Sequence, residues 1–377
     1  MDNTLIVALV SYAGMGPYVT TIINSFKPSD PVYFFLLDNS TDYYKKNVKP
    51  ELKKNCLITK INSSKIEDIK NLIISNSKLG NDINDFAIKN NIKNIHFITA
   101  ENRIRGMVDR WKKKFNLFMT VHDLAPHEMN KAIHKEIKQK IIYRHLNSMT
   151  DKIDNLITNS EDQLLQLNQK YPKKKCYLHE FPTLITKEIE NGNLQVPELT
   201  GITNYILFFG RIESYKGLHI LYEAWMKDED IHNKYKLVIA GSGDNYINRC
   251  EDEKNVIFIN RYIKDEEVKT LFENAILTVY PYISATQSGV LSLSSYFGIP
   301  ILASDIHFFR HISESGIGVT FKNQNATDLA QKLNFILQQD LSIYKQQESK
   351  YYQEKYNSDR LRTRLMEIYT NINKTKS

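Results

Sequence analysis

The chain has 377 residues, 42% of them hydrophobic and 25% charged, with a formal net charge of +7. It is longer than one hydrophobic core usually supports and ordinary in composition, which predicts two globular domains and excludes low-complexity and fibrous classes. The modest basic excess comes with no nucleic-acid recognition motif, so no nucleic acid partner is expected; an anionic nucleotide substrate or an anionic lipid surface suits the charge. Cys56, Cys176 and Cys250 are odd in number, far apart and without metal-ligand spacing, which points to a reducing, cytoplasmic setting. The run from Met1 to Val10 has an acidic rather than a basic leader and is too short to span a bilayer.

From the start of the chain, Thr4 to Val10 reads as a buried strand, followed by the turn Ser11-Tyr-Ala-Gly14-Met-Gly16-Pro17 and a helix from Tyr18. Gly14 and Gly16 let a backbone approach a ligand closely; a tight turn without ligand contact is the alternative. Val32 to Leu37 is a second strand, and Glu51 to Asn91 a Lys/Asn-rich helical region. Ile95 to Ile98 and Phe118 to Val121 are further strands with a helix between them, and this alternation predicts a parallel, doubly wound half.

Arg110-Trp-Lys-Lys-Lys114-Phe115 mixes cations with large apolar groups and reads as a solvated helix face or as a peripheral membrane contact. The next strand ends in His122-Asp123-Leu-Ala-Pro126-His127, where Pro126 prevents a helix that would align the two histidines, so no metal site is expected. Ala132 to Asp154 reads as a long amphipathic helix, Asn155 to Thr158 as a strand, and Ser160 as the cap of the following helix. Cys176 to His179 closes the first half, and the polar text from Thr183 to Asn204 reads as a linker.

The second half is patterned more sharply. Tyr205 to Gly210, Tyr235 to Ala240, Asn255 to Ile259 and Leu277 to Tyr280 are apolar runs, each followed by a small, polar or basic turn. Such runs closed at their carboxyl ends are expected of a parallel sheet buried on both faces. Ile301 to Ala303 is the last clear strand, Thr327 to Leu337 a helix, and Tyr351 to Ile372 another, amphipathic one. Ligands of such sheets sit at the carboxyl ends of the strands, where helix-start amides attract anions. Arg211 and Lys216, five apart across a turn ended by Gly217, suit a diphosphate, the one as a planar fork and the other as a point charge. Thr286, Gln287, Ser288 and Gly289 bring hydroxyls, an amide and uncrowded backbone to the next helix start.

The successive motifs Gly210-Arg211-Ile-Glu-Ser-Tyr-Lys216-Gly217, Ala240-Gly241-Ser-Gly243, Asn260-Arg261-Tyr262-Ile263, Ser284-Ala-Thr-Gln287-Ser-Gly289-Val290 and Gly298-Ile-Pro300-Ile-Leu-Ala-Ser-Asp305 resemble, in order and spacing, those of family 4 glycosyltransferases. The resemblance implies an α/β fold of the GT-B type, with two Rossmann-like, doubly wound parallel-sheet domains facing across a cleft. Residues 1–183 would form the acceptor-side domain, 184–204 the linker, 205–350 the nucleotide-sugar-binding domain, and 351–377 a helix crossing back to the first domain. It further implies a retaining transfer from a UDP- or GDP-linked sugar to a glycan or lipid-linked glycan precursor of a surface polysaccharide, at the cytoplasmic side of a membrane. No acidic metal-binding triplet is visible, so neither a metal nor another cofactor is expected.

Carried over residue by residue, the resemblance makes His122, Arg211 and Lys216 the catalytic candidates. It assigns donor binding to Gly14, Gly16, Gly210, Gly241, Tyr262, Thr286, Gln287, Ser288, Gly289 and Val290, with Tyr262 marking where backbone groups hold the base. One departure stands out: Ser284 to Ser294 contains no Asp or Glu, where family members commonly carry one acidic residue toward the sugar and one toward the ribose. Thr286, Gln287 and Ser292 or Ser294 are then the neutral substitutes, and a GT-B module without turnover, partnering an active transferase, is the alternative. A sugar-nucleotide epimerase would need acid and base side chains clustered together, and the sequence offers no such cluster.

Overall fold

The computed structural model describes residues 2–10, 15–38, 42–60, 77–122, 124, 148–251, 253–285 and 288–371. Gly14, Asp123, Pro126, His127, most of the helix expected from Ala132, and Thr286 with Gln287 lie outside the described residues. The chain forms two compact units, Met1–Pro182 with Ser358–Ser377, and Thr183–Asn357.

The first unit is built on a seven-stranded sheet of β1 (Thr4–Ala8), β2 (Val32–Asp38), β3 (Cys56–Lys60), β4 (Asn94–Phe97), β5 (Asn116–Thr120), β6 (Asn155–Thr158) and β7 (Lys175–Leu178), in the order β3-β2-β1-β4-β5-β6-β7. Every pair is parallel. The inner strands bury residues on both faces, which is why they read as unbroken apolar runs. β3 was hidden in the Lys/Asn-rich region because an edge strand needs no such run; only Leu57 and Ile58 are strongly apolar in it, and Leu57 is exposed. Ser160 caps the helix Glu161–Lys170 as expected, its Oγ accepting from the Gln163 amide at 3.3 Å. The basic patch does not present its aromatic: Trp111 is buried and stacked on Phe97, centroids 5.6 Å apart, while Lys112 pairs with Asp154 at 3.1 Å. A membrane contact there would have to do without that ring.

The last helix, Ser358–Thr370, buries Leu361, Leu365, Ile368 and Tyr369 in the first unit, a spacing that places them on one helix face. Tyr369 Oη lies 2.7 Å from His96 Nδ1, and His96 Nε2 lies 2.8 Å from Thr120 Oγ1. Burial pushes this imidazole down to about 3, so it stays neutral with both nitrogens satisfied. Arg362 binds both carboxylate oxygens of Asp30, Arg360 pairs with Glu180 at 2.9 Å, and Arg364 Nε donates to the Leu178 carbonyl at 3.1 Å.

The second unit is a six-stranded parallel sheet of β8 (Tyr205–Phe209), β9 (Leu237–Gly241), β10 (Val256–Asn260), β11 (Ala275–Tyr280), β12 (Ile301–Ser304) and β13 (Gly318–Phe321), ordered β10-β9-β8-β11-β12-β13. β13 lies beyond the last strand expected from the sequence, because its Gly-Val-Thr-Phe text is too short and mixed to stand out. Residues 184–204 are not an open linker. They contain the helix Lys187–Glu190, capped by Thr186, and bury Ile189, Val196 and Leu199 in the same core as Leu271 and Phe272. The expected helix from Tyr351 to Ile372 is two helices, Leu341–Lys355 in the second unit and Ser358–Thr370 in the first.

Leu341–Lys355 packs on the helix Leu291–Phe297 and turns one carboxyl inward. Glu348 is fully buried, no cation pairs with its carboxyl among the described residues, and the polar group beside it is the Ser295 hydroxyl, whose pull on the carboxyl is smaller than the cost of burial. Burial pushes the Glu348 carboxyl up to about 8, so the folded protein keeps a proton that the unfolded chain releases in the ordinary carboxylate range. The folded state is therefore favoured at low pH and loses that advantage as pH climbs to about 8. Thermal unfolding of Glu348→Gln at pH 5 and 8.5 checks this: the variant should match the wild type at the lower pH and exceed it by on the order of 2 kcal/mol at the higher.

Candidate functional site

In the second unit the strand order reverses between β8 and β11, and the turns that leave their carboxyl ends flank this switch point. Open parallel sheets bind ligands at such a place. Four turns meet there, three through their backbones and the fourth through a side chain. Gly210 N–H donates to the Ala240 carbonyl at 3.0 Å and Ile212 N–H to the Ser242 carbonyl at 2.9 Å, joining the turns after β8 and β9. Gly241 has φ of 150°, and a Cβ on it would lie 1.8 Å from the Gly210 carbonyl oxygen. Gly217, with φ of 67°, ends the turn after β8, and a Cβ there would lie 1.8 Å from the Pro281 carbonyl oxygen. Ile283 N–H donates to the Tyr215 carbonyl at 2.8 Å, so the turns after β8 and β11 are held edge to edge. Asn260 completes the set, its side chain accepting from Gly243 N–H at 3.2 Å and donating to the Gly243 carbonyl at 3.1 Å.

The two cations expected to act together lie on one turn in different states. Lys216 is only 8% exposed, and its Nζ lies 3.7 Å from the centroid of the Tyr282 ring and 5.1 Å from that of Tyr215. It has no carboxylate partner among the described residues. Desolvation, and then the nearby Arg211 guanidinium, push the Lys216 ammonium down to about 7 against the opposing pull of Glu213. Arg211 is exposed and paired with Glu213 Oε1 at 2.9 Å, with Nη2 3.5 Å from Tyr215 Oη. Glu213, which the sequence reading passed over, is the anion that a bound phosphate would have to displace from Arg211.

Ser288 is buried with its Oγ 3.4 Å from Tyr282 Oη, and with Gly289 and Val290 it leads into the helix Leu291–Phe297. Ser292 and Ser294, expected as neutral substitutes for the missing carboxylates, are fully buried and serve the fold. Ser292 Oγ donates to the Gly289 carbonyl at 2.7 Å and accepts from Leu184 N–H at 3.0 Å; Ser294 Oγ lies 2.5 Å from Tyr280 Oη and 3.0 Å from Thr278 Oγ1. Tyr262 is 65% exposed beside the turn after β10, while its neighbour Arg261 is committed to Glu198 and Glu267. The helix after this turn begins at Asp265, and the Glu267 carboxylate accepts from the Lys264 amide at 2.8 Å.

In the first unit, Gly16 lies inside the helix Met15–Ser25 rather than in the preceding loop, and a Cβ there would come within 2.7 Å of the Tyr43 ring. That contact gives the glycine a packing reason. His122 Nε2 donates to the Ile98 carbonyl at 2.9 Å, and the ring stands edge-on to Tyr18 with centroids 5.0 Å apart. These contacts fix the orientation of the ring. No group of three or more His, Cys, Asp or Glu able to hold a metal ion occurs among the described residues, and no helix among them is long and apolar enough to cross a membrane.

Residues 194–356 match the family model for glycosyl transferases group 1. No curated protein sequence matches the chain. Among solved structures, the chain resembles sucrose-phosphate synthase from Thermosynechococcus elongatus with a TM-score of 0.68 at 14% identity, covering 100% of both chains. Anabaena Alr3699/HepE in complex with UDP-glucose gives 0.65 at 13% identity over 98% of this chain and 100% of that one. The E. coli trehalose-6-phosphate structure bound with UDP-2-fluoro glucose gives 0.66 at 10% identity over 97% and 99%. The chain thus has the GT-B fold of these glycosyltransferases, and the stretch that resembles glycosyl transferases group 1 lies in its second unit.

Proposed function

We propose that the protein is a retaining glycosyltransferase that moves a sugar from a nucleoside diphosphate donor to a glycan or lipid-linked glycan acceptor, in the assembly of a surface polysaccharide on the cytoplasmic side of a membrane. The observation that carries this reading is the buried ammonium of Lys216, without a carboxylate partner among the described residues, on the same turn as Arg211 at the switch point of the second sheet. As the bond from the sugar to the phosphate oxygen breaks, negative charge grows on the diphosphate. A cation fixed beforehand stabilises that state more than the ground state. Lys216 supplies one such charge, and Arg211 a second by exchanging Glu213 for phosphate.

The acceptor hydroxyl attacks the anomeric carbon on the face that the diphosphate leaves, and a departing phosphate oxygen takes its proton. One glycosidic bond forms, one sugar–phosphate bond breaks, and no protein nucleophile, metal or other cofactor enters the balance. His122 is the first unit's candidate for contact with the donor sugar. The complexes of Anabaena HepE with UDP and UDP-glucose make UDP-glucose the first donor to try.

A second reading, a module that binds nucleotide sugar without turnover, draws support from the lack of any Asp or Glu between Ser284 and Ser294 and from the structural use of Ser292 and Ser294. Incubation with a panel of UDP- and GDP-sugars separates the two. Release of nucleoside diphosphate supports the transferase; calorimetric binding without release supports the second reading; neither binding nor release sinks both. In an active protein, Lys216→Ala and Arg211→Ala should each lower kcat/KM for the donor by about 100-fold.

Lys216 also predicts how affinity depends on pH. Its ammonium, poised near 7 in the empty site, is held protonated by a bound diphosphate, so binding above that pH takes up a proton. Affinity for UDP should fall as pH rises from 7.5 to 9, by up to about tenfold per unit. Calorimetry in buffers of different ionisation enthalpy measures the uptake directly, and Lys216→Ala should abolish it.

A further inference from the structure

The residue that holds Lys216 in place is Tyr282, and none of the motif residues assigned above includes it. We propose that Tyr282 is a positioning residue whose ring face holds the Lys216 ammonium where a diphosphate will meet it. This rests on the proposed function, since the cation matters to that reaction through the leaving group.

The Lys216 ammonium is buried. Taken out of water without a compensating partner, it is unfavourable, and the usual remedy is a carboxylate. The carboxylate on this turn, Glu213, is held by Arg211. Lys216 lies instead over Tyr282 at 3.7 Å, within the range where the negative face of an aromatic ring attracts a cation. A ring suits the task better than an anion would. It attracts the ammonium without forming an ion pair, so an arriving diphosphate has no carboxylate to displace from Lys216.

Tyr282 is itself immobilised. It is fully buried, packed against Phe309 at 5.3 Å and Tyr280 at 5.8 Å between centroids, and its carbonyl accepts from Ser304 Oγ at 2.5 Å. Its chain neighbours are fixed to the opposite turn, Pro281 against Gly217 and Ile283 to the Tyr215 carbonyl. The hydroxyl lies 3.4 Å from Ser288 Oγ, so one side chain touches both the cation and the segment that opens the next helix. Tyr282 therefore sets the distance between the two parts of the diphosphate site. Burial holds its phenol well above the ordinary tyrosine range, so the ring acts as a neutral face throughout. Among the described residues the other charged or titratable groups acting on Lys216 are Arg211, Glu213 and Tyr215, all on its own turn.

The test compares Tyr282→Phe and Tyr282→Leu with the wild type in the full-length chain. The readouts are the NMR titration of the Lys216 side-chain methylene next to the ammonium, without ligand, and the affinity for UDP as a function of pH. In the wild type that methylene should show the upfield displacement of a group over a ring. Tyr282→Leu should abolish the displacement, move the titration midpoint of Lys216 to lower pH and weaken UDP binding at pH 7.5 about tenfold or more. Tyr282→Phe, which keeps the ring and loses the hydroxyl, should restore the displacement and the midpoint. An unchanged midpoint and affinity in Tyr282→Leu, or a Phe variant that behaves like Leu, would overturn the role given to the ring.

Should Tyr282→Leu fail to fold, a series with phenylalanine and progressively fluorinated phenylalanine at 282 keeps the shape while draining the ring face; the midpoint should fall along the series, and a flat series overturns the proposal. Absence of UDP binding in the wild type would count against the function, whereas wild-type binding with an unshifted variant would count against Tyr282 alone.

Discussion

The second unit depends on how closely its turns approach one another. The Gly241 backbone lies against the Gly210 carbonyl, and the Gly217 backbone against that of Pro281, at separations that leave no room for a side chain. Because these turns leave strands on either side of the sheet's reversal point, their contact fixes what they carry. Lys216 comes to lie over a ring that belongs to the turn after β11, and Arg211 stays at the rim with Glu213. The backbone geometry comes first and the electrostatics follows from it: a cation can be kept from water only where the surrounding chain is rigid enough to hold a compensating face against it.

That geometry explains what was legible in the sequence. β8, β9 and β11 are buried on both faces, so their apolar runs stand out, and Gly210 and Gly241 mark the turns after the first two. Motif spacing then led to Arg211 and Lys216. Tyr282 stayed hidden because its part depends on a contact between turns far apart in the chain, which no local pattern records. Glu213 was passed over for a similar reason, since an acid next to an arginine reads as an ordinary surface pair. Ser292 and Ser294 looked available as ligands, yet a helix that packs against β11 and receives the Leu184 amide needs its hydroxyls inside.

The places where the fold departs from the sequence pattern have equally physical causes. An edge strand such as β3 shows half its surface to solvent and loses the signature of its interior neighbours. The text from Thr183 to Asn204 looked like a tether because its polar residues outnumber the apolar ones. Ile189, Val196 and Leu199 are nevertheless enough to anchor it in the core of the second unit. Periodicity carried a single helix from Tyr351 to Ile372, whereas the fold divides that stretch between its two units at Tyr356 and Asn357. Glu348 breaks the expected pattern in the opposite sense, an ionisable residue held neutral by burial where an apolar one would pack with less cost.

The first unit is discontinuous, and this bears on how the chain is made. Tyr369, which serves His96, and Arg362, which serves Asp30, leave the ribosome after the whole of the second unit. During synthesis the second unit is complete in sequence while the first still awaits its closing helix, so the earlier half of the polypeptide is the later to reach its finished state. A nascent chain halted at residue 357 would hold an entire second unit beside a first whose buried histidine still lacks its tyrosine.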